Sequence, residues 1–164
     1  MKYCGLLWVL FAWLGLLSVA NAQGAPEVQI GSITASCKDS KGNVVMNHVA
    51  PTATGAVAGM DGTGPAITVD PAFAEPANWA FHVFVYLHEC GHHVLGHAPG
   101  ASAQTRDREL AADCYAARMS KATGWLNESD FAVAMSRIVA PAEVPTNPPG
   151  HLRMVNALAC RIRG

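Results

Sequence analysis

The stretch that decides the fold covers residues 79–97 and reads WAFHVFVYLHECGHHVLGH. Its first half is apolar almost throughout, and polar residues then collect on one side. A helix that is apolar nearly all round is a buried one, so this pattern predicts a buried α-helix that begins near Pro76 and ends at Gly96. Within that helix, His88 and His92 are four residues apart and therefore share one face, one turn apart.

The H-E-x-x-H spacing of this helix predicts a metal site. Both imidazoles, those of His88 and His92, can reach one ion, and zinc suits two nitrogen ligands, with a third protein ligand and a water completing a catalytic site. Glu89 is rotated about 100° from His88, which places its carboxylate beside the metal. There it can act as a general base on a metal-bound water. The alternative is a pair of surface histidines. The apolar residues just upstream argue against this alternative, because they place the His/Glu cluster near the core.

The third ligand is predicted to be Glu109, on a second helix that covers about residues 106–123. Glu109 and Asp113 are four residues apart and share a face, so Glu109 can bind the metal while Asp113 holds the other nitrogen of a ligand histidine. Alanines on this helix allow it to approach the first helix closely. The alternative role for Glu109 is that of a surface residue at the start of a helix.

His97 is the competing candidate for the third ligand. The pattern H-E-x-x-H-x-x-G-x-x-H would require Gly at position 95 and His at position 98, and the sequence has Leu95 and Ala98 there. We therefore expect Gly96 to end the helix and His97 to cap it or to form a hydrogen bond nearby, without binding the metal.

The remaining pattern predicts an α+β domain, with a small N-terminal β-hairpin or sheet packed on a helical core. Turn residues at 39–43 divide a predicted hairpin at 27–48, and a segment rich in Gly, Ala, Thr and Pro reads as a loop at 49–66. A short β-branched strand, Ile67, Thr68 and Val69, precedes the long helix. A third helix begins at Asn127 as N-cap, a Pro-rich connector covers 141–150, and a last helix covers about 151–161.

The first 22 residues have the form of a signal peptide. Lys2 precedes an apolar run of 16 residues, which ends in Ala20-Asn21-Ala22, an A-x-A cleavage site. The run is shorter than the roughly 20 residues that span a bilayer, so an uncleaved anchor is the less favoured alternative. We expect an exported protein, periplasmic or secreted, in which residues 23–164 form a single domain with no stable membrane span.

Four cysteines remain after cleavage: Cys37, Cys90, Cys114 and Cys160. An even number in an exported chain predicts two disulfides, and three pairings are possible. No C-x-x-C occurs, so neither a zinc ribbon nor a thioredoxin-like site is indicated. Helical geometry places Cys90 on the back of its helix, away from the metal face.

Composition excludes other classes of protein. The 164 residues are 51 % hydrophobic and 14 % charged, which excludes an intrinsically disordered chain. The formal net charge of -1 excludes a nucleic-acid binder that relies on bulk positive charge, so no nucleic-acid partner is expected.

The sequence H-E-C-G-H-H followed by E-L-A-A-D resembles the gluzincin zinc metallopeptidases. Within them it is most similar to soluble relatives of the prenyl-processing and heat-shock membrane metallopeptidases and to the putative neutral zinc metallopeptidase family. The tail Pro148-Pro149-Gly150-His151-Leu152-Arg153 resembles a segment that follows in those families, although Asn147 stands where they commonly have His. The resemblance implies that His88, His92 and Glu109 bind zinc and that Glu89 is the base.

Two further roles come from this resemblance. The strand Ile67, Thr68 and Val69 would be an edge strand that pairs with the substrate backbone; the alternative is a strand that merely completes the sheet. His151 would donate a hydrogen bond to the developing oxyanion; the alternative is a histidine that caps a helix or lies on the surface.

The expected function is that of an exported zinc peptidase. A peptide or protein substrate would be hydrolysed by a zinc-activated water with Glu89 as base. The alternative is a non-catalytic, zinc-stabilised binding domain, against which an intact Glu89 argues, because a structural site has no use for a base.

Overall fold

The computed structural model describes residues 24–97, 105–139 and 148–163. The predicted signal peptide, Asn147 and most of the Pro-rich connector lie outside these residues. The fold is α+β, as predicted, with a five-stranded N-terminal sheet followed by four helices. The strands are β1 (Glu27–Ile30), β2 (Ile33–Lys38), β3 (Val44–Val49), β4 (Ala56–Met60) and β5 (Pro65–Val69). The helices are α1 (Trp79–Val94), α2 (Arg106–Ala122), α3 (Glu128–Ile138) and α4 (Gly150–Arg163).

The sheet is mixed and has the strand order β1-β2-β3-β5-β4. Strands β1, β2 and β3 are antiparallel neighbours, β3 and β5 run parallel, and β4 pairs antiparallel with β5. The predicted hairpin at 27–48 is therefore two consecutive hairpins with three strands. Gly31, at φ 58°, supplies the left-handed conformation of the tight first turn, between the paired residues Ile30 and Ile33.

Two expectations for the middle of the chain are wrong. Residues 49–66 are not a loop, because they contain β4, whose composition (Ala, Val, Ala, Gly, Met) has little intrinsic preference for a strand. Pairing with β5 forms this strand. In consequence, Ile67, Thr68 and Val69 do not form an edge strand: they belong to β5, which lies between β3 and β4. The edge on that side of the described sheet is β4.

Helix α1 is buried, as its apolar sequence predicts. It packs against the sheet on one side and against α2 and α3 on the other. His93 contacts the sheet: its Nε2 lies 2.9 Å from the carbonyl oxygen of Ala66 in β5. His82 is also buried and stacks on Phe73.

Helices α1 and α2 approach closely at small residues. A Cβ atom added to Gly91 would lie 3.0 Å from Cδ1 of Tyr115 and 3.3 Å from Cα of Ala112. Ala116 and Ala117 of α2 are also fully buried. The predicted close approach of the two helices is confirmed, and it brings Glu109 to the histidines of α1.

Two disulfides connect the helices to the rest of the fold. The pairs are Cys37–Cys90, which joins β2 to α1, and Cys114–Cys160, which joins α2 to α4. The prediction that all four cysteines pair is confirmed, and the structure selects one of the three pairings. Both disulfides are compatible with an extracellular protein.

None of the helices in the described residues has the length and hydrophobicity of a bilayer span.

Candidate metal centre

The three predicted ligands lie together. His88 and His92 of α1 and Glu109 of α2 are all buried, and one potential ligand atom from each lies within 4.8 Å of the others. Nε2 of His88 is 3.1 Å from Nε2 of His92 and 3.2 Å from Oε2 of Glu109. Nε2 of His92 is 3.4 Å from Oε1 of Glu109. This group can bind a metal ion.

The spacing and chemistry of this group are compatible with a bound metal ion. With ligand bonds of about 2.0–2.1 Å, as zinc makes to nitrogen and oxygen, neighbouring ligand atoms in a tetrahedron are separated by about 3.3–3.4 Å. The two Nε2 atoms are 3.1 Å apart, and each faces a different oxygen of Glu109, His88 facing Oε2 at 3.2 Å and His92 facing Oε1 at 3.4 Å. Oε1 of Glu109 is buried without a hydrogen-bond partner in the described protein. A buried carboxylate oxygen in that state is costly, and a cation would compensate it.

The back of His88 is held by a buried carboxylate. Oδ1 of Asp113 lies 2.9 Å from Nδ1 of His88, as the sequence predicts for the residue one turn after Glu109. Asp113 is fully buried and receives two further hydrogen bonds: Nε and Nη2 of Arg153, on α4, donate to its two oxygens at 2.8 and 2.7 Å. The carboxylate is therefore fixed from both sides and in turn fixes the ring of His88.

The back of His92 is held by a different residue. Nδ1 of His97 lies 2.9 Å from Nδ1 of His92, and the two rings are steeply inclined. His97 is not among the convergent ligand atoms of His88, His92 and Glu109.

The pKa values of the two histidines shift in opposite directions. Burial opposes the charged form of His88, but hydrogen bonds with Asp113 and Glu109 outweigh it and raise the pKa of His88 to about 10. Burial and the neighbouring charge of His88 lower the pKa of His92 to about 4. Burial tends to raise the pKa of Glu109, but the hydrogen bond and the charge of His88 outweigh burial and lower this pKa. Without metal, the group therefore carries a proton on His88, which a bound cation would replace.

Glu89 follows His88 on α1; its carboxylate interacts electrostatically with His88 and Glu109 and is not among the convergent ligand atoms. Its Oε2 accepts a hydrogen bond of 2.7 Å from the backbone N–H of Ala58 in the edge strand β4. Burial raises the pKa of Glu89, while the charge of His88 and the Ala58 N–H lower it in part. A buried carboxylate with a raised pKa near three candidate ligands can exchange a proton with a neighbouring group.

Other predicted site residues do not join the group. Ile67, Thr68 and Val69 lie in the interior strand and cannot pair with a substrate strand. His151 lies in the first turn of α4 with its side chain exposed. It is two residues from Arg153, about 200° around the helix, so it faces away from Asp113. The oxyanion role of His151 stays a prediction without a supporting contact in the described residues.

Sequence reasoning missed the parts that Arg153 and Ala58 play. Arg153 was present in the tail motif, and a cation is the expected partner of a carboxylate buried behind a ligand, but no spacing relates it to Asp113, 40 residues earlier. Nothing in the sequence marks Ala58, because its contribution is a backbone N–H.

Comparison of the chain with protein-family models, with curated proteins and with solved structures finds no match.

Proposed function

We propose that this protein is an exported, zinc-dependent peptidase of the gluzincin type. The observation that carries the proposal is the position of Glu89. Its buried carboxylate interacts with the charges of His88 and Glu109, is not among the convergent ligand atoms, and accepts a hydrogen bond from the Ala58 N–H at the edge of the described sheet. A site that served only to stabilise the fold would need no such carboxylate.

The donor set supports zinc as the metal. Two neutral imidazoles and one carboxylate form the protein ligand set of a catalytic zinc site with an open position. When bound, zinc supplies a Lewis acid that polarises the substrate carbonyl and lowers the pKa of water.

In this mechanism each residue of the site has a separate role. Glu89 takes a proton from the attacking water and passes it to the nitrogen of the departing amine, so that the peptide bond breaks without release of a strong base. The Ala58 N–H holds one oxygen of this carboxylate. Asp113 and Arg153 keep His88 in one orientation throughout the reaction.

Strand β4 offers a place for the substrate. It is a sheet edge, and the N–H of Ala58 points away from β5 toward Glu89. The Ala58 N–H is already used by Glu89, so an extended peptide would pair with other main-chain groups of this edge, which would bring its backbone near Glu89. This role replaces the one predicted for Ile67, Thr68 and Val69.

Export is part of the proposal. It is supported by the form of residues 1–22, which lie outside the described residues, and by the two disulfides.

The test compares Glu89→Gln with wild type on an unfolded protein substrate, with zinc content measured in both. We expect Glu89→Gln to retain the metal and to lose about 10²–10⁴-fold in turnover, because the amide keeps the shape and cannot accept the proton. Glu75→Gln, at an exposed position, is the matched control and should be active. Wild-type turnover in zinc-loaded Glu89→Gln would refute the mechanism, whereas a zinc-loaded wild type without turnover would favour the non-catalytic binding domain.

A further inference from the structure

The C-terminal end of α1 brings His97 back over a ligand of the metal centre. Gly96, at φ 67°, leaves the helix in the left-handed conformation. The N–H of Gly96 donates to the carbonyl of His93, and the N–H of His97 donates to the carbonyl of His92, at 3.1 and 2.8 Å. This pair of hydrogen bonds is a Schellman motif, and it reverses the chain. The side chain of His97 then lies against that of His92, with ring centroids 5.1 Å apart.

The contact between these two rings has a defined chemistry. Their Nδ1 atoms are 2.9 Å apart, so one of them must donate a proton and the other must accept it. Nε2 of His92 faces His88 and Glu109 in the ligand group. For that nitrogen to present its lone pair to a metal, Nδ1 of His92 must carry the proton.

We propose that His97 is a positioning residue of the metal centre, which accepts a hydrogen bond from Nδ1–H of His92 and thereby holds His92 in the tautomer and orientation that bind metal. The inference rests on the proposed metal centre. His97 acts from behind the ligand ring, on the opposite side from Nε2. It serves His92 as Asp113 serves His88, with a neutral acceptor in place of a charged one.

The two ligands are thus supported by different parts of the fold. Asp113 belongs to α2 and is held by α4, so His88 depends on tertiary packing. His97 belongs to the end of the same helix as His92, so its support is local. Removing it should weaken metal binding without disturbing the contact between α1 and α2.

The experiment measures zinc affinity of the full oxidised chain by competition with a chromophoric chelator. The variants are His97→Ala, His97→Gln and, as a matched control at the same helix end, Leu95→Ala, whose side chain is 44 % exposed. We expect His97→Ala to bind zinc about 10–100-fold more weakly, the usual effect of losing the partner of a ligand histidine. His97→Gln, whose amide oxygen can accept the same hydrogen bond, should recover most of the loss, and Leu95→Ala should bind as wild type does.

The outcomes separate this inference from the proposed function. Thermal unfolding of the metal-free variants checks that each is folded. If wild type and His97→Ala bind zinc equally, the positioning role is wrong while the metal centre stands. If His97→Ala and Leu95→Ala lose affinity alike, or if His97→Gln recovers nothing, the hydrogen bond is not the cause and the inference is overturned. A folded wild type that binds no zinc overturns the metal centre and this inference together.

Discussion

Arg153 is predicted to hold both the fold and the metal centre together through a single buried carboxylate. Its guanidinium donates two hydrogen bonds to Asp113, whose side chain is 0 % exposed, and is itself only 17 % exposed. In Arg153→Met, the apolar stem is largely preserved, but the carboxylate keeps only its contact with His88. Removing one partner of a buried ion pair typically costs about 3–5 kcal/mol, and because the protonated His88 still compensates the Asp113 carboxylate in part, the cost here should lie at the lower end of that range. We expect a loss of that size in the free energy of unfolding.

The assay is urea denaturation of the oxidised, metal-free chain at neutral pH, with a double-mutant cycle. Arg153→Met and Asp113→Asn are each expected to destabilise the protein. The double variant should cost less than the sum by at least about 1 kcal/mol, because neither the Asp113 carboxylate nor the Arg153 guanidinium is left buried without the other. Arg163→Met, at an exposed position near the end of the same helix, is the control and should change the stability by less than about 0.5 kcal/mol.

Zinc affinity gives a second measure on the same variants. Arg153 acts on His88 through Asp113, so Arg153→Met should weaken binding by roughly 10–100-fold. An Arg153→Met protein that loses less than about 1 kcal/mol, or a double variant whose cost equals the sum of the single ones, would refute the reasoning, because the pair would then not be coupled.

Three further predictions concern the ligand set, a disulfide and a surface turn. Glu109→Ala should be isolated without zinc, and a fully loaded variant would exclude Glu109 as a ligand. Joint replacement of Cys114 and Cys160 by Ser should cost roughly 2–4 kcal/mol in chemical denaturation, since the chain-entropy effect of a cross-link over 46 residues is about 4 kcal/mol; no loss would contradict this. Hydrogen bonds from Thr63 hold the pKa of Asp61 well below its ordinary value of 3.8, so stability should fall as the pH drops below about 4. In Asp61→Asn, the free energy of unfolding should fall less steeply at acid pH than in wild type, and an unchanged pH profile would contradict this role of Asp61.

The strands show where the local sequence pattern was insufficient to predict the fold. The segment that becomes β4 is made of small residues and reads as a loop, because its strand state comes from pairing with β5. The same pairing moves Ile67, Thr68 and Val69 from the expected edge to the interior of the sheet. Strand order follows from contacts distant in sequence, and a period of two residues carries no information about them.

Local spacing was enough for the features that lie on one helix. The helical repeat alone places His88 and His92 on one face of α1 and turns Cys90 away from it, and it places Glu109 and Asp113 on one face of α2. The N-cap at Asn127, whose side chain accepts from the N–H of Asp130, is likewise a local feature.

Only the tertiary structure decided which distant groups meet around those faces. It selected one of three cysteine pairings, placed the Ala58 N–H against Glu89 and closed the guanidinium of Arg153 on Asp113. Each of these contacts joins residues between 31 and 53 positions apart. The sequence was sufficient to predict the candidate ligands and their chemistry, because a helix fixes neighbours through its own backbone geometry. It could not determine what surrounds them, because long-range contacts depend on how the elements pack, and the burial that drives packing is non-directional.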